Sequence, residues 1–77
     1  MGKLPTDLSG REVRAALERA GFIFRRQKGS HMILRRDVPY ARAVVPDHKV
    51  IRLGTLRRII ADAGMTVEQF IETLGQR

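Results

Sequence analysis

The chain has 77 residues, a net charge of +7 and no cysteine. This length suits one small domain and leaves little volume for a deep catalytic cavity. The lack of cysteine excludes a disulfide framework, an iron–sulfur cluster and cysteine-ligated zinc, and it fits a cytoplasmic location. No apolar run approaches the roughly 20 residues of a transmembrane helix. The excess of Lys and Arg favours a polyanionic partner, nucleic acid before membrane.

The first predicted element is a helix that follows a short arm. Residues 1–8 show no periodicity and are predicted to be a flexible arm of one domain spanning 1–77. Ser9 and Glu12 then have the spacing of a capping box, in which each side chain bonds the backbone N–H of the other residue. An apolar stripe follows at helical spacing: Val13, Ala16, Leu17 and Ala20.

Three strands are predicted in the middle of the chain. They cover Phe22 to Gln27, His31 to Arg36 and Arg42 to Pro46. Lys28-Gly29-Ser30 is predicted to be the first turn. Asp37 to Tyr40 is predicted to be a loop, because it contains a proline, which cannot donate to a central ladder. Short connections between consecutive strands favour an antiparallel sheet.

Two short helices close the chain. Residues 47–53 are predicted to be an irregular basic connection, after which Gly54-Thr55 begins a helix that ends at Gly64. Thr66 and Gln69 form a second capping box before the last helix. The predicted fold class is α+β, with the order α-β-β-β-α and a short extra C-terminal helix. Helices would cover one face of a three-stranded antiparallel sheet, giving a two-layer sandwich.

The positive charge is concentrated between residues 25 and 58. This segment holds ten basic residues against only Asp37 and Asp47, and the rest of the chain has a slight acidic excess. A single Arg is most often a solvated surface charge, but this concentration is typical of one polyanion-binding face on a neutral scaffold. The ten residues are Arg25, Arg26, Lys28, Arg35, Arg36, Arg42, Lys49, Arg52, Arg57 and Arg58.

The most informative cluster surrounds the first turn. It consists of three cations, two turn residues and a histidine: Arg25, Arg26, Lys28, Gly29, Ser30 and His31. Exposed turn N–H groups suit phosphate oxygens, and glycine allows a close approach. A neutral imidazole can take a proton from a ribose 2′-hydroxyl, and a nearby cation can stabilise the charge that develops on the phosphate. The cluster predicts RNA cleavage by the 2′-hydroxyl, without metal. The competing interpretation is a histidine that only hydrogen-bonds its turn.

The strand that begins at His31 has two distinct faces. Met32 and Leu34 share one face, and His31, Ile33 and Arg35 share the other, because side chains alternate along a strand. A working His31 must reach solvent. We therefore expect Met32 and Leu34 to face the helices, and Ile33 to be partly shielded by a neighbouring strand or by a partner.

Other kinds of site find little support in the sequence. Ser30 and His31 are adjacent, so their side chains would point to opposite faces of a strand, which disfavours a serine–histidine relay. The chain has no His-x-x-x-His pair and no glycine-rich phosphate loop. The second histidine, in Pro46-Asp47-His48, is interpreted first as a loop residue.

Several segments together resemble the HicA family of bacterial toxin–antitoxin toxins, which are small messenger-RNA interferases. The likeness extends over about Ser9 to Leu74, and it departs from the family pattern at Asp37–Ala41 and at Arg52-Leu53-Gly54, where loop shape would change. The similar segments are Leu17-Glu18-Arg19-Ala20-Gly21-Phe22, Arg26-Gln27-Lys28-Gly29-Ser30-His31, Val45-Pro46-Asp47-His48, Leu53-Gly54-Thr55-Leu56-Arg57 and Ala63-Gly64-Met65-Thr66-Val67-Glu68-Gln69-Phe70.

The resemblance implies a fold similar to the double-stranded-RNA-binding domain and an endoribonuclease that cleaves messenger RNA without a cofactor. It implies that His31 is the catalytic histidine and that a HicB antitoxin covers the active site. His48 matches a family histidine, either as an RNA contact or as part of the loop structure. Together, charge and resemblance predict RNA contacts at Arg25, Arg26, Lys28, Gly29, Ser30, His48, Arg57 and Arg58.

Two other functions explain part of the pattern. A non-catalytic RNA-binding module of the same fold accounts for the charge but not for the placement of His31. A structural or antitoxin-like protein that acts only through protein contacts leaves the basic middle segment unexplained. Degradation of RNA by the pure protein in EDTA separates the ribonuclease from the RNA-binding module.

Overall fold

The computed structural model describes residues 3–75. The elements are α1 (Gly10–Arg19), β1 (Ile23–Lys28), β2 (His31–Asp37), β3 (Tyr40–Pro46), α2 (Leu53–Asp62) and α3 (Val67–Leu74). The strands form one antiparallel sheet in the order β1-β2-β3. The predicted α+β class, the α-β-β-β-α order and the extra C-terminal helix are therefore confirmed. None of the helices in the described range has the length and apolarity needed to cross a membrane.

The two predicted capping boxes are present. The Ser9 hydroxyl accepts from the Glu12 N–H at 3.1 Å, and the Glu12 carboxylate accepts from the Ser9 N–H at 3.0 Å. Thr66 and Gln69 make the same pair of bonds at the start of α3, at 3.1 and 2.9 Å. Such a cap typically stabilises a helix by about 0.5–2 kcal/mol. Of the three helices within residues 3–75, α2 alone begins without a side-chain cap, at Leu53, one residue before the predicted start.

Two strands begin at positions other than those predicted. Phe22 is not part of β1, because its N–H donates to the Leu17 carbonyl at 3.0 Å and closes the end of α1. Its side chain is buried, and β1 begins at Ile23. In the second hairpin, Asp37 pairs with Tyr40, so β3 begins two residues earlier than predicted and only a two-residue turn separates β2 from β3.

The core lies between the helices and one face of the sheet. Met32 and Leu34 are 1 % and 0 % exposed in this layer, which confirms that they face the helices. Leu8 also belongs to the core, and its carbonyl accepts from the Ile51 N–H at 2.7 Å. Leu4 packs against the same cluster. Apolar packing thus begins before α1, within the predicted arm 1–8, whose first two residues lie outside the described range.

One cation of the basic segment serves the fold. The Arg36 Nε donates to the Pro39 carbonyl at 3.0 Å, and the other guanidinium nitrogens donate to Ala63 at 3.2 Å and Ala20 at 3.5 Å. The same guanidinium lies over the Phe22 ring, 4.8 Å from its centroid. Ala20 and Ala63 are the C-terminal capping residues of α1 and α2, where unpaired carbonyls attract a positive charge. Arg36 therefore links two helix ends to the β2–β3 turn.

Candidate nucleic-acid interface

The helices leave the other face of the sheet open, and His31 lies on that face. Ile33 lies on the same open face but is only 8 % exposed, because side chains of β1 and β3 flank it on both sides. Of the two predicted sources of shielding, a neighbouring strand or a partner, the neighbouring strands are present in the structure. Three rows of side chains cross the open face from β1 to β3: Lys28, His31 and Pro46; Arg26, Ile33 and Val44; Ile23, Arg35 and Arg42.

A β-bulge in β1 brings two consecutive arginines to this face. Phe24 pairs with Leu34 and Arg26 pairs with Ile33, so Arg25 is an extra residue without a partner on β2. Regular alternation would send Arg25 and Arg26 to opposite faces. The bulge cancels that alternation, and both arginines line the same concavity of about 300 Å³. Its lining residues are Arg25, Arg26, Ile33, Arg35, Tyr40 and Arg42.

His31 stands at the end of the sheet beside a tight turn. Its direct cross-strand partner on β1 is Lys28, and both residues are exposed. Partners in an antiparallel pair have Cβ atoms about 4.5–5.5 Å apart, so the ammonium group of Lys28 can reach an anion held beside the imidazole. Gly29 has a φ of 61°, a conformation that side chains disfavour, and no atom lies within 4 Å of where its Cβ would be. The turn therefore leaves His31 open to a polymeric ligand.

A hydrogen-bond network that the sequence did not reveal holds this turn. The Asp47 N–H donates to the Ser30 carbonyl at 2.6 Å. The Asp47 carboxylate accepts from Arg11 and from Gln27, both at 3.3 Å, and Gln27 also donates to the Gly29 carbonyl at 3.1 Å. The hydrogen bond from Arg11 lowers the pKa of the Asp47 carboxyl, and Gln27 adds to the effect. Asp47 thus joins α1 and β1 to the turn that carries His31.

The second histidine lies at the same end of the molecule. His48 is exposed, two residues beyond Pro46, the partner of His31 on β3, and it lines a concavity of about 330 Å³ with Pro46. The His48 carbonyl accepts from the Gly10 N–H at 2.8 Å. A Cβ at Gly10 would overlap the Pro46 carbonyl oxygen, so only glycine allows α1 to approach the His48 loop this closely.

The two predicted site residues on α2 belong to the helix layer. Arg57 lines a groove of about 360 Å³ with Leu4 and Val67. Arg58 is exposed and pairs with Asp62 at 3.5 Å, one turn along the helix. The structure therefore brings Arg25, Arg26, Lys28 and His31 together on the open sheet face, with the turn residues Gly29 and Ser30 beside them. It places His48 at the end of the sheet and the two α2 cations in the helix layer. The charge of the middle segment is divided between two layers.

The chemistry available at the turn is that of one exposed imidazole with cations beside it. Within residues 3–75, no three side chains of His, Cys, Asp or Glu lie close enough together to hold a metal ion. The carboxylate of Asp47, in the network that holds the turn, is already bonded to Arg11 and Gln27. His31 is therefore an exposed imidazole that lies beside the glycine turn and directly opposite Lys28.

Comparison with known proteins assigns the chain to a family. No curated protein matches the chain closely enough to be counted as a relative. A family model, that of the HicA toxin of bacterial toxin–antitoxin systems, matches residues 10–65. This range begins with α1 and contains the whole sheet, the turn before His31, the His48 loop and α2. It covers more than two thirds of the chain. The chain therefore belongs to the HicA toxin family, as the resemblance of its motifs predicted.

Proposed function

We propose that the chain is a metal-independent endoribonuclease that cleaves messenger RNA, with His31 as its single catalytic histidine. The placement of His31 carries the proposal. It is exposed at the start of β2, beside an open glycine turn and directly opposite Lys28. An acid–base group next to a phosphate-binding cation is what cleavage of RNA by its own 2′-hydroxyl requires. Membership of a toxin family supports an activity that damages its target.

In the proposed reaction, the neutral imidazole of His31 accepts the proton of a ribose 2′-hydroxyl. The 2′-oxygen forms a bond to the adjacent phosphorus, and the bond from phosphorus to the 5′-oxygen breaks. The leaving oxygen takes a proton from solvent, and the imidazolium later releases its proton to solvent. The products are a 2′,3′-cyclic phosphate and a 5′-hydroxyl. Lys28 stabilises the negative charge on the phosphate as it increases.

The other predicted contacts would bind RNA on either side of the cleaved bond or farther along the strand. Arg25 and Arg26 on the open face, and the turn residues Gly29 and Ser30, would bind phosphates next to the cleaved bond. His48, at the same end of the sheet, would contact RNA from the loop after β3. The cations on α2, Arg57 and Arg58, would contact RNA only if the RNA chain extends from the sheet onto the helix layer.

The family also implies a cognate antitoxin. We propose that this partner is a HicB protein that covers His31 in the cytoplasm, where messenger RNA is found. The site is exposed, and no described segment of the chain lies over it as a lid. A separate protein that occludes the turn would both block RNA and neutralise the cations around it.

The experiment that tests the proposed function is incubation of the purified protein with RNA in EDTA. We expect internal cleavage and fragments that end in a 2′,3′-cyclic phosphate. The competing function, a non-catalytic RNA-binding module, predicts that RNA is bound and remains intact. Cleavage that disappears in EDTA and returns with a divalent cation would contradict the proposed mechanism.

A further inference from the structure

The open sheet face extends well beyond His31. Tyr40 begins β3 at the far end of this face, opposite Asp37, and is 68 % exposed. Asp37 and His31 are six positions apart on β2, which at 3.3–3.4 Å per residue is about 20 Å. The concavity between these points, lined by Tyr40, Ile33 and four arginines, is called the arginine–tyrosine cavity below. The four arginines are Arg25, Arg26, Arg35 and Arg42.

The charges in this cavity are poorly compensated within the protein. Arg35 lies directly opposite Arg42, and like charges at such positions repel each other. Arg35 pairs with Asp37 at 2.9 Å. No ion pair joins Arg25, Arg26 or Arg42 to any residue of the described range 3–75. A cluster of this kind is stabilised by a bound polyanion, because the phosphates supply the charge that the protein does not.

We propose that the arginine–tyrosine cavity is a subsite for a single-stranded part of the RNA substrate. One unpaired base stacks on Tyr40, and the surrounding arginines bind the phosphates on either side of it. This inference rests on the proposed function, because an RNA chain whose cleaved bond lies at His31 would continue along the same face of the sheet. It makes Tyr40 a substrate-binding residue a few nucleotides from the cleaved bond.

The composition of the cavity favours single-stranded RNA over other ligands. Stacking on an aromatic side chain needs an unpaired base, so a duplex would use the arginines but not Tyr40. Protein-binding surfaces concentrate apolar residues at the centre and charge at the rim. Here four arginines line the cavity itself, and an exposed aromatic ring stands among them. That combination is typical of single-strand binding, where stacking adds to phosphate contacts.

The first test measures binding to the full-length chain made inactive by His31→Ala. The probe is a short, fluorescein-labelled, unstructured RNA of mixed sequence, compared with a duplex of the same length. Tyr40→Ala should weaken binding of the single strand by about 5- to 150-fold, as expected for one lost base stack. Tyr40→Phe should retain binding within about twofold, because the ring is kept. Binding of the duplex should not change.

The matched control for Tyr40→Ala is Val38→Ala. Val38 is 87 % exposed in the adjacent turn, and it does not line the cavity. This variant should bind the single strand as the parent does. A matching loss for the duplex probe, or a Tyr40→Phe variant as weak as Tyr40→Ala, would overturn the stacking proposal.

A spectroscopic test follows from the composition of the chain. Tyr40 is the only tyrosine, and the chain has no tryptophan. Tyr40→Trp keeps an aromatic platform and introduces a single fluorophore that can be excited beyond the absorption of the bases. Single-stranded RNA should quench this fluorescence, and the duplex should not. Absence of quenching at concentrations that saturate binding would contradict contact between the ring and a base.

The charge of the cavity is tested by the salt dependence of binding. Arg42→Gln should reduce the slope of log affinity against log salt for single-stranded RNA by about 0.7, which corresponds to one phosphate contact. Lys3→Gln removes a charge from the helix-layer groove and should leave the slope unchanged. Equal slopes for Arg42→Gln and the parent would overturn the phosphate-binding role of Arg42.

These measurements separate the subsite from the proposed function. If the wild type cleaves RNA but Tyr40→Ala binds RNA normally, the subsite is wrong and the ribonuclease assignment stands. If the wild type cleaves no RNA but Tyr40→Ala still loses affinity, the proposed function fails while the stacking surface stands. If Tyr40→Ala weakens only the binding of the antitoxin, the cavity is a protein-binding surface and the RNA subsite is overturned.

Discussion

Asp47 and Ser30 are joined backbone to backbone, with the Asp47 N–H donating to the Ser30 carbonyl at 2.6 Å. This bond ties the loop that carries His48 to the turn that carries His31. The Asp47 side chain strengthens the connection through Arg11 and Gln27. The two histidines are therefore positioned by one network, in which Arg11 and Asp47 are 36 positions apart in the sequence.

The first prediction concerns the catalytic role of His31. His31→Ala should reduce RNA cleavage by about 10²–10⁴-fold, the usual contribution of an acid–base group. The melting temperature should stay within a few degrees, because an exposed side chain at the start of a strand contributes little packing. Gel assays of RNA cleavage and thermal melts measure both effects. His48→Ala is the matched comparison and should lose less activity, since its loop position suits binding better than proton transfer.

Near-wild-type cleavage by purified His31→Ala would remove His31 as the catalytic residue. A variant that is inactive and also unfolded would be uninformative by itself, so His31→Gln, which is polar and closer in size to histidine, is measured beside it. Both variants should be folded and inactive.

The second prediction concerns the charge around the turn. The double variant Arg26→Gln and Lys28→Gln should weaken RNA binding and reduce its salt slope by roughly 1.4–1.8, since each lost phosphate contact accounts for about 0.7–0.9. Fluorescence anisotropy at several salt concentrations measures the slope. Lys3→Gln, on the helix layer, should keep the parent slope. An unchanged slope in the double variant would show that Arg26 and Lys28 are ordinary surface charges.

The third prediction follows from the lowered pKa of Asp47. Arg11 stabilises the charged carboxylate in the folded chain, so the folded pKa lies below the unfolded value. The stabilisation is therefore complete above the ordinary aspartate pKa of 3.8 and is lost as the pH falls through the lower pKa of the folded chain. Asp47→Asn should be less stable than the wild type at pH 7, and the difference should shrink in strong acid. Urea denaturation at pH values from neutral to strongly acidic measures the difference in the free energy of unfolding between the two proteins.

The control for this pH dependence is Asp62→Asn. Asp62 belongs to an exposed ion pair with Arg58 on α2, and such pairs contribute little. Its substitution should change the stability by less than Asp47→Asn at neutral pH. A stability difference for Asp47→Asn that is the same at all pH values would contradict the linkage argument.

The fourth prediction concerns Arg36, which is bonded to three backbone carbonyls. Arg36→Ala should destabilise the fold by about 2 kcal/mol or more, because it removes charge-assisted hydrogen bonds and the contact with Phe22. Arg42→Ala, on the open face, should change stability by only about 0.5 kcal/mol. Chemical denaturation measures both. Equal stability of the two variants would rule out a linking role for Arg36.

The fifth prediction concerns the antitoxin. Hydrogen exchange of the complex should show protection at Lys28 and His31, because an inhibitor that occludes the site must cover the turn. Substitutions of charges at the rim should change mainly the association rate, whereas substitutions at the buried centre should change mainly the dissociation rate. A footprint confined to α3, residues 67–74, would contradict direct occlusion.

The sequence alone determined the local structure of the chain. The Ser9 and Thr66 caps, the stripes of the helices and the order of the strands depend on residues a few positions apart, whose spacing can be counted directly. The alternation of β2 likewise predicts that Met32 and His31 lie on opposite faces, and the requirement that His31 reach solvent assigns Met32 to the core. The strand ends were less predictable. The N–H of Phe22 could serve either β1 or the end of α1, and only the packed structure selects one.

The tertiary structure decided which distant residues act together. Ten basic residues look equivalent in the sequence, but Arg36 bonds helix ends, whereas Arg42 lies uncompensated on the open face. The bulge that turns Arg25 to the same side as Arg26 depends on how β1 pairs with β2, and it leaves no local sequence signal. Asp47 acquires its role from contacts with residues on two other elements. Such relationships arise when strands pair and helices pack on them, so spacing along the chain does not reveal them.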